Sequence, residues 1–136
     1  MKRRKLRATK RRKPLLSKQK ATKRQGLSPI NEMTIQDWVT QAFNYQQAGS
    51  LSEAANLYRQ VLRHQKDHFD ALHMLGIVNH QLGKSDKAYE LVSKALNIRP
   101  DNAEAHNSLA IILSSLTRSV EAIKHLDRAL DLRPDF

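Results

Sequence analysis

Six histidines and a dense run of lysines and arginines are the residues of this 136-residue chain whose types could do chemistry. Imidazoles in pairs can hold a transition metal or move protons. His64 and His68 stand four apart, the spacing of two ligands on one helix face, but a helix boundary is expected between them. His73 and His80 are seven apart, about 10 Å along a helix axis, which is too far to share one ion. No acidic residue is spaced to complete a site with either pair, and the absence of cysteine excludes disulfides and thiolate ligands. Neither a Gly-rich phosphate loop nor a nucleophile elbow occurs. The sequence therefore predicts no catalytic residue, no cofactor and no metal.

The cations are a different matter. Residues 1–28 hold thirteen Lys and Arg and no Asp or Glu, so the formal net charge of +11 belongs to the tail, and residues 29–136 carry −2. With Leu6, Leu15, Leu16 and Leu27 as its sizeable apolar residues, residues 1–28 cannot bury enough surface to offset their chain entropy and are expected to be disordered. Lys2, Arg3, Arg4, Lys5, Arg11, Arg12 and Lys13 are the candidate phosphate contacts, on nucleic acid or an anionic surface. Without interleaved aromatics such binding would be unspecific and salt-sensitive. No apolar run has the length of a transmembrane helix or of a signal-peptide core, which points to a cytoplasmic protein.

The elements that would position any site are set by a 34-residue period. Ala54 returns as Ala88 and Ala122, Ala95 as Ala129, and Arg99-Pro100-Asp101 as Arg133-Pro134-Asp135. Such a period means stacked copies of one supersecondary unit, and a stack works by presenting a surface. The units read 35–68, 69–102 and 103–136, after a tail over 1–28 and a linker over 29–34 marked by Ser28-Pro29. Apolar residues three and four apart run through both halves of each unit, so each is a pair of helices. Gly49 and Gly83 sit where a left-handed residue would end a first helix, and Thr117 takes their place in the third unit. Ser50-Leu51-Ser52-Glu53 reads as a capping box, Ser85 and Ser119 as caps of the equivalent helices, and Asp67 and Asp101 as caps of the helices that follow them.

These residues resemble the tetratricopeptide repeat family, whose pattern expects bulky, Leu, small and Tyr positions in the first helix, then Ala, aromatic and Ala in the second, with a closing Pro. The first unit supplies Trp38, Ala42, Tyr45, Ala54 and Tyr58; the second Leu72, Leu75, Gly76, Ala88, Val92, Ala95 and Pro100; the third His106, Leu109, Ala110, Leu113, Ala122, Leu126, Ala129 and Pro134. The resemblance implies an all-α fold: three TPR helix-turn-helix repeats stacked as a right-handed α-solenoid, with the disordered basic N-terminal tail outside it. Ala42, Gly76 and Ala110 should face Ala54, Ala88 and Ala122 across each hairpin, where small side chains let two backbones approach. Departures from the pattern are Gln41, Val61, Lys66 and Thr117, so the terminal repeats should be less stable than the middle one.

In this family the first helix of each repeat lines a concave face. The resemblance therefore implies a peptide groove of Val39, Phe43, Gln46 and Gln47, then His73, Met74, Ile77 and His80, then Asn107 and Ile111. Phe43, Ile77 and Ile111 recur at the period and would form an apolar stripe. The lining has no Lys or Arg, so it lacks the clamp for acidic tails known in some relatives. Thr40, Met74 and Ser108 stand where the O-linked glycosyltransferase repeats carry an Asn ladder. The implied partner is a protein or peptide with apolar anchors and few acidic groups. The sequence stops at the last position of the third repeat; the favoured expectation is that it continues into a longer protein, the alternatives being that the third repeat's own second helix closes the stack or that the open apolar edge self-associates. The wording of 102–109 and 129–135 resembles bacterial repeat regions that precede glycosyltransferase- or sulfotransferase-like domains.

Overall fold

The computed structural model describes residues 27–136, with the backbone alone for 27–34. The basic stretch before it, with the candidate phosphate contacts, lies outside the described residues. The chain divides into two units at Gln36/Asp37. Of the first, residues 27–36 are described and are helical. Among the described residues every regular element is a helix: α1 (Leu27–Gln47), α2 (Leu51–His64), α3 (Phe69–Gln81), α4 (Ser85–Ile98), α5 (Ala103–Ser115) and α6 (Ser119–Leu132). The segment 29–34, expected as a linker, is thus helix. Pro29 falls in the first turn of described α1, where a missing N–H breaks no intrahelical bond.

Two kinds of joint alternate along the chain. Within a hairpin, the turn ends in a left-handed residue: Gly49 at φ 84°, Gly83 at φ 83° and Thr117 at φ 58°. Each turn closes with the same pair of bonds. The N–H of Ser50, Lys84 and Arg118 donates to the carbonyls of Tyr45, Asn79 and Leu113 at 2.8, 2.7 and 2.9 Å, while the left-handed residue donates three positions back. Thr117 keeps the conformation at a cost of about 1 kcal/mol, since its Cβ crowds the carbonyl that Gly leaves free.

That closure corrects the expected caps of the second helices. Ser50, Lys84 and Arg118 are the N-caps, and none makes a side-chain cap bond. The capping box at Ser50 does not form, because the Ser50 N–H that Glu53 would receive already donates to Tyr45. Ser85 and Ser119 lie one residue inside their helices. Between hairpins the caps are side chains, here one residue later than expected. His68 Nδ1, not Asp67, accepts from the Ala71 N–H at 3.1 Å, and Asn102 Oδ1, not Asp101, accepts from Ala105 at 2.8 Å. Both residues have the extended backbone of a cap, which aims the side chain at the third helical N–H.

Packing follows the period. Helix α3 lies on α4 and α5 on α6 as hairpins; α2 lies against α3 and α4 against α5 between them, and α3 touches α5. The core holds Ala88, Val92, Ala95, Leu96, Leu109, Ala110, Ile112 and Leu113, with Leu72 and Ala122 at its flanks. The small positions Ala42, Gly76 and Ala110 are all buried. At Gly76 the nearest obstacle is Val92: an added Cβ would collide with its Cγ2, while the Ala88 carbonyl oxygen lies 3.4 Å off. The contact expected with the Ala88 side chain is therefore made with its backbone, and β-branched Val92 sets the limit.

Candidate functional site

The first helices α1, α3 and α5 carry no Lys or Arg from Ile35 onward; the cations of residues 29–136 are on second helices and in turns. The face they offer is uncharged apart from Asp37, Asp70 and Glu104, and Glu104 receives a hydrogen bond from Arg133 at 3.4 Å. Phe43 and Ile111 stand out from it, 44% and 50% exposed, and Ile77 between them is half-buried. Side chains of this size left in water at one register of a repeat are the kind of anchor an apolar ligand covers.

The remaining candidates divide into free and engaged. Val39, Met74 and Asn107 are half-buried and Gln47 is exposed. The Gln46 side-chain oxygen accepts a hydrogen bond from the Tyr58 hydroxyl at 3.0 Å. Tyr58 is fully buried, and burial, with a smaller push from Asp70, raises its pKa to about 12. One lone pair of the Gln46 carbonyl is therefore committed to a core phenol. His73 is buried, its Nε2 hydrogen-bonded to Ser108 Oγ at 2.9 Å, and its ring lies 5.8 Å from that of Phe69. Burial lowers its pKa, against the opposing pull of Glu104 and Asp70. It ties α3 to α5. His80 Nδ1 lies 3.3 Å from Ser85 Oγ, within its own hairpin.

None of the histidine pairs read by spacing comes together as a metal centre. His64 closes α2, with its Nδ1 3.1 Å from the Gln60 carbonyl and its ring 5.2 Å from Trp38, while His68 caps α3. Among the described residues no group of three or more His, Cys, Asp or Glu could hold a metal ion. The pair that does meet is His106 with His125, Nδ1 to Nδ1 at 3.0 Å. They are nineteen residues apart, so linear spacing could not find them. The period could have: they occupy the register of Leu72 and Leu91. An open depression of about 410 Å³ lies beside Ile111 between α5 and α6, lined by Ala110, Ser114, Ser115, Ala122 and Leu126.

A tetratricopeptide repeat model matches residues 45–112, half of the chain, and a second matches 103–136. The chain belongs to the tetratricopeptide repeat family, and its fold is the stack of helical hairpins that defines it. Among solved structures it is similar to a point mutant of the Thermobaculum terrenum O-GlcNAc transferase, with 28% identity and a TM-score of 0.75 over 77% of this chain. The chain spans 20% of that transferase's length. It is also similar in fold to MamA: a point mutant at 24% identity and TM-score 0.67, covering 73% of this chain and 72% of that one, and another MamA structure at 21% and 0.68, covering 74% and 58%. No curated protein sequence matches the chain. The repeat architecture is that of an interaction scaffold and resembles non-catalytic scaffold domains. No helix among the described residues is long and apolar enough to cross a membrane.

Proposed function

We propose that the chain is a protein-interaction module that captures a peptide segment on the face of α1, α3 and α5. The observation that carries this is the exposure of Phe43 and Ile111, with half-buried Ile77 between, on helices free of Lys and Arg. Val39, Gln47, Met74 and Asn107 flank the stripe with further apolar and amide groups. An acidic ligand would find no cation there and would be repelled by Asp70, whereas apolar anchors on a neutral or basic segment would be accepted. His73, His80 and Gln46 act as support rather than as contacts, because each is already engaged within the fold.

Selection of random displayed peptides on the chain tests this. The enriched peptides should carry two or more apolar anchors and few acidic residues. Phe43→Ala and Ile77→Ala should each weaken a selected peptide about tenfold, roughly 1.4 kcal/mol, with the helical circular dichroism unchanged. Enrichment of acidic peptides, or loss of helicity in step with binding, would count against the groove. A second reading draws on the likeness to the O-GlcNAc transferase: the same face would recruit substrates for a larger transferase of which these repeats are one part. A longer reading frame encoding a catalytic domain would favour it.

A further inference from the structure

The His106–His125 pair is unusual for where it sits. The two rings occupy the hairpin register that holds Leu72 and Leu91 in the second repeat and Trp38 and Leu57 in the first. Two polar, ionisable groups thus replace an apolar pair at the joint between α5 and α6. Their geometry is specific. The Nδ1 atoms are 3.0 Å apart and the ring centroids 5.2 Å. The second distance exceeds the first by about two ring radii, so the nitrogens lie nearly on the line joining the rings. The rings meet edge to edge, not face to face, despite an interplanar angle of only 27°. A metal ion on that line would sit about 1.5 Å from each nitrogen, inside the roughly 2.0 Å of a zinc–imidazole bond. What fits between the nitrogens is one proton.

The rest of the network assigns that proton. His106 Nε2 lies 2.7 Å from the Pro100 carbonyl oxygen, which can only accept, so Nε2 carries a hydrogen. In the neutral ring Nδ1 is then an acceptor, and His125 must donate its Nδ1–H to it. The neutral arrangement holds one proton between the rings, and a further proton on the outer nitrogen of His125 puts a positive charge into a partly buried joint, which burial opposes. A third cannot be placed: it would have to go onto His106 Nδ1, setting two N–H groups and two positive charges against each other.

We propose that the His106–His125 pair is a protonation-sensitive latch that holds the third hairpin closed when neutral and releases α6 from α5 on acidification. The surrounding charges leave it room to act. From α6, Glu121 is the carboxylate that acts on His125, but Arg118 holds it with bonds of 2.6 and 2.8 Å. Lys124 lies on the same helix and acts on Glu121. Arg128 is paired with Asp101, which precedes α5, at 2.9 Å. On α5, Glu104 is paired with Arg133, and from α4 the Tyr89 ring lies under the Arg118 guanidinium. Among the described residues no carboxylate hydrogen-bonds either imidazole. Burial, then the neighbouring His106, lowers the His125 pKa against the pull of Glu121. A histidine whose pKa is lower folded than unfolded stabilises the fold above its unfolded value of about 6.5, and that contribution is lost as pH falls through the folded value. The inference is independent of whether the groove binds peptides.

Amide exchange on the whole chain, corrected for intrinsic pH dependence, reads the latch directly. Protection of the α6 amides should fall at least about tenfold between about pH 7.5 and about pH 5, while that of α3 and α4 changes less. His106→Leu/His125→Leu, which installs the residues of the second repeat, should abolish the differential loss in α6. Unchanged α6 protection in the parent chain, or an equal loss in the double variant, would overturn the proposal. A reading that needs no variant is the ring nitrogen-15 spectrum near neutral pH. It should show His125 protonated at Nδ1 and His106 at Nε2; both rings protonated at Nε2 would remove the shared proton and the latch with it.

Discussion

The second and third repeats share one register and one backbone, yet they are held by different chemistry. In the second, Leu72 and Leu91 join the apolar core at the mouth of the hairpin, Gly83 makes the turn, and Val92 is fully buried against Gly76. In the third, His106 and His125 stand at the mouth, Thr117 makes the turn under strain, and Leu126, the counterpart of Val92, is 40% exposed. The 34-residue period therefore conserves geometry without conserving energetics. A hairpin closed by apolar contact is indifferent to pH, and one closed by a shared proton is not.

The comparison can be broken most severely at Gly76. Gly76→Leu drives a side chain into Val92 and should cost about 1–3 kcal/mol in urea unfolding. Destabilisation below about 0.5 kcal/mol would mean that the α3–α4 approach is looser than the geometry indicates. A direct test pairs Val92→Ala with Leu126→Ala. The first opens a cavity in a fully buried site and should cost about 2 kcal/mol; the second, at a part-exposed site, should cost under about 1 kcal/mol. Equal costs would show that α6 is covered in solution by something that packs on Leu126. The smallest effect is expected at the turn. Thr117→Gly should stabilise by up to about 1 kcal/mol, seen as a rise in thermal midpoint, because glycine adopts φ 58° without the Cβ penalty. A fall instead would assign the Thr117 side chain a contribution larger than its strain.

The hairpins were legible because the period is written in side-chain size. Small residues at 42, 76 and 110 and turn residues at 49, 83 and 117 can occupy few other places in a repeat. The observed caps lie one residue from the Asp67, Ser85, Asp101 and Ser119 positions that residue type favours. Residue type favoured Asp67 and Asp101, whereas the backbone angle at His68 and Asn102 decides whose side chain reaches the open N–H. Ser28-Pro29 reads as punctuation, yet both residues lie within α1 as described, since proline is equally at home in a first helical turn. Of the proposed groove residues, the shared register of Phe43, Ile77 and Ile111 is legible from periodicity. The commitment of Gln46 to Tyr58 and of His73 to Ser108 is not. Those partners lie twelve and thirty-five residues away, on neighbouring helices.

By itself the sequence determined the repeat unit, its number, the helix pairs and the separation of the basic tail from a nearly neutral stack. All of these follow from local periodicity and composition, which act over a few turns of chain. Only the tertiary structure decided which polar groups are spent inside the fold and which face water. Hydrogen bonds and burial depend on what the adjacent helix brings, and that is a matter of distance in space. The His106–His125 pair belongs to the second category: two unremarkable helical residues become an ionisable joint only when α6 folds back on α5.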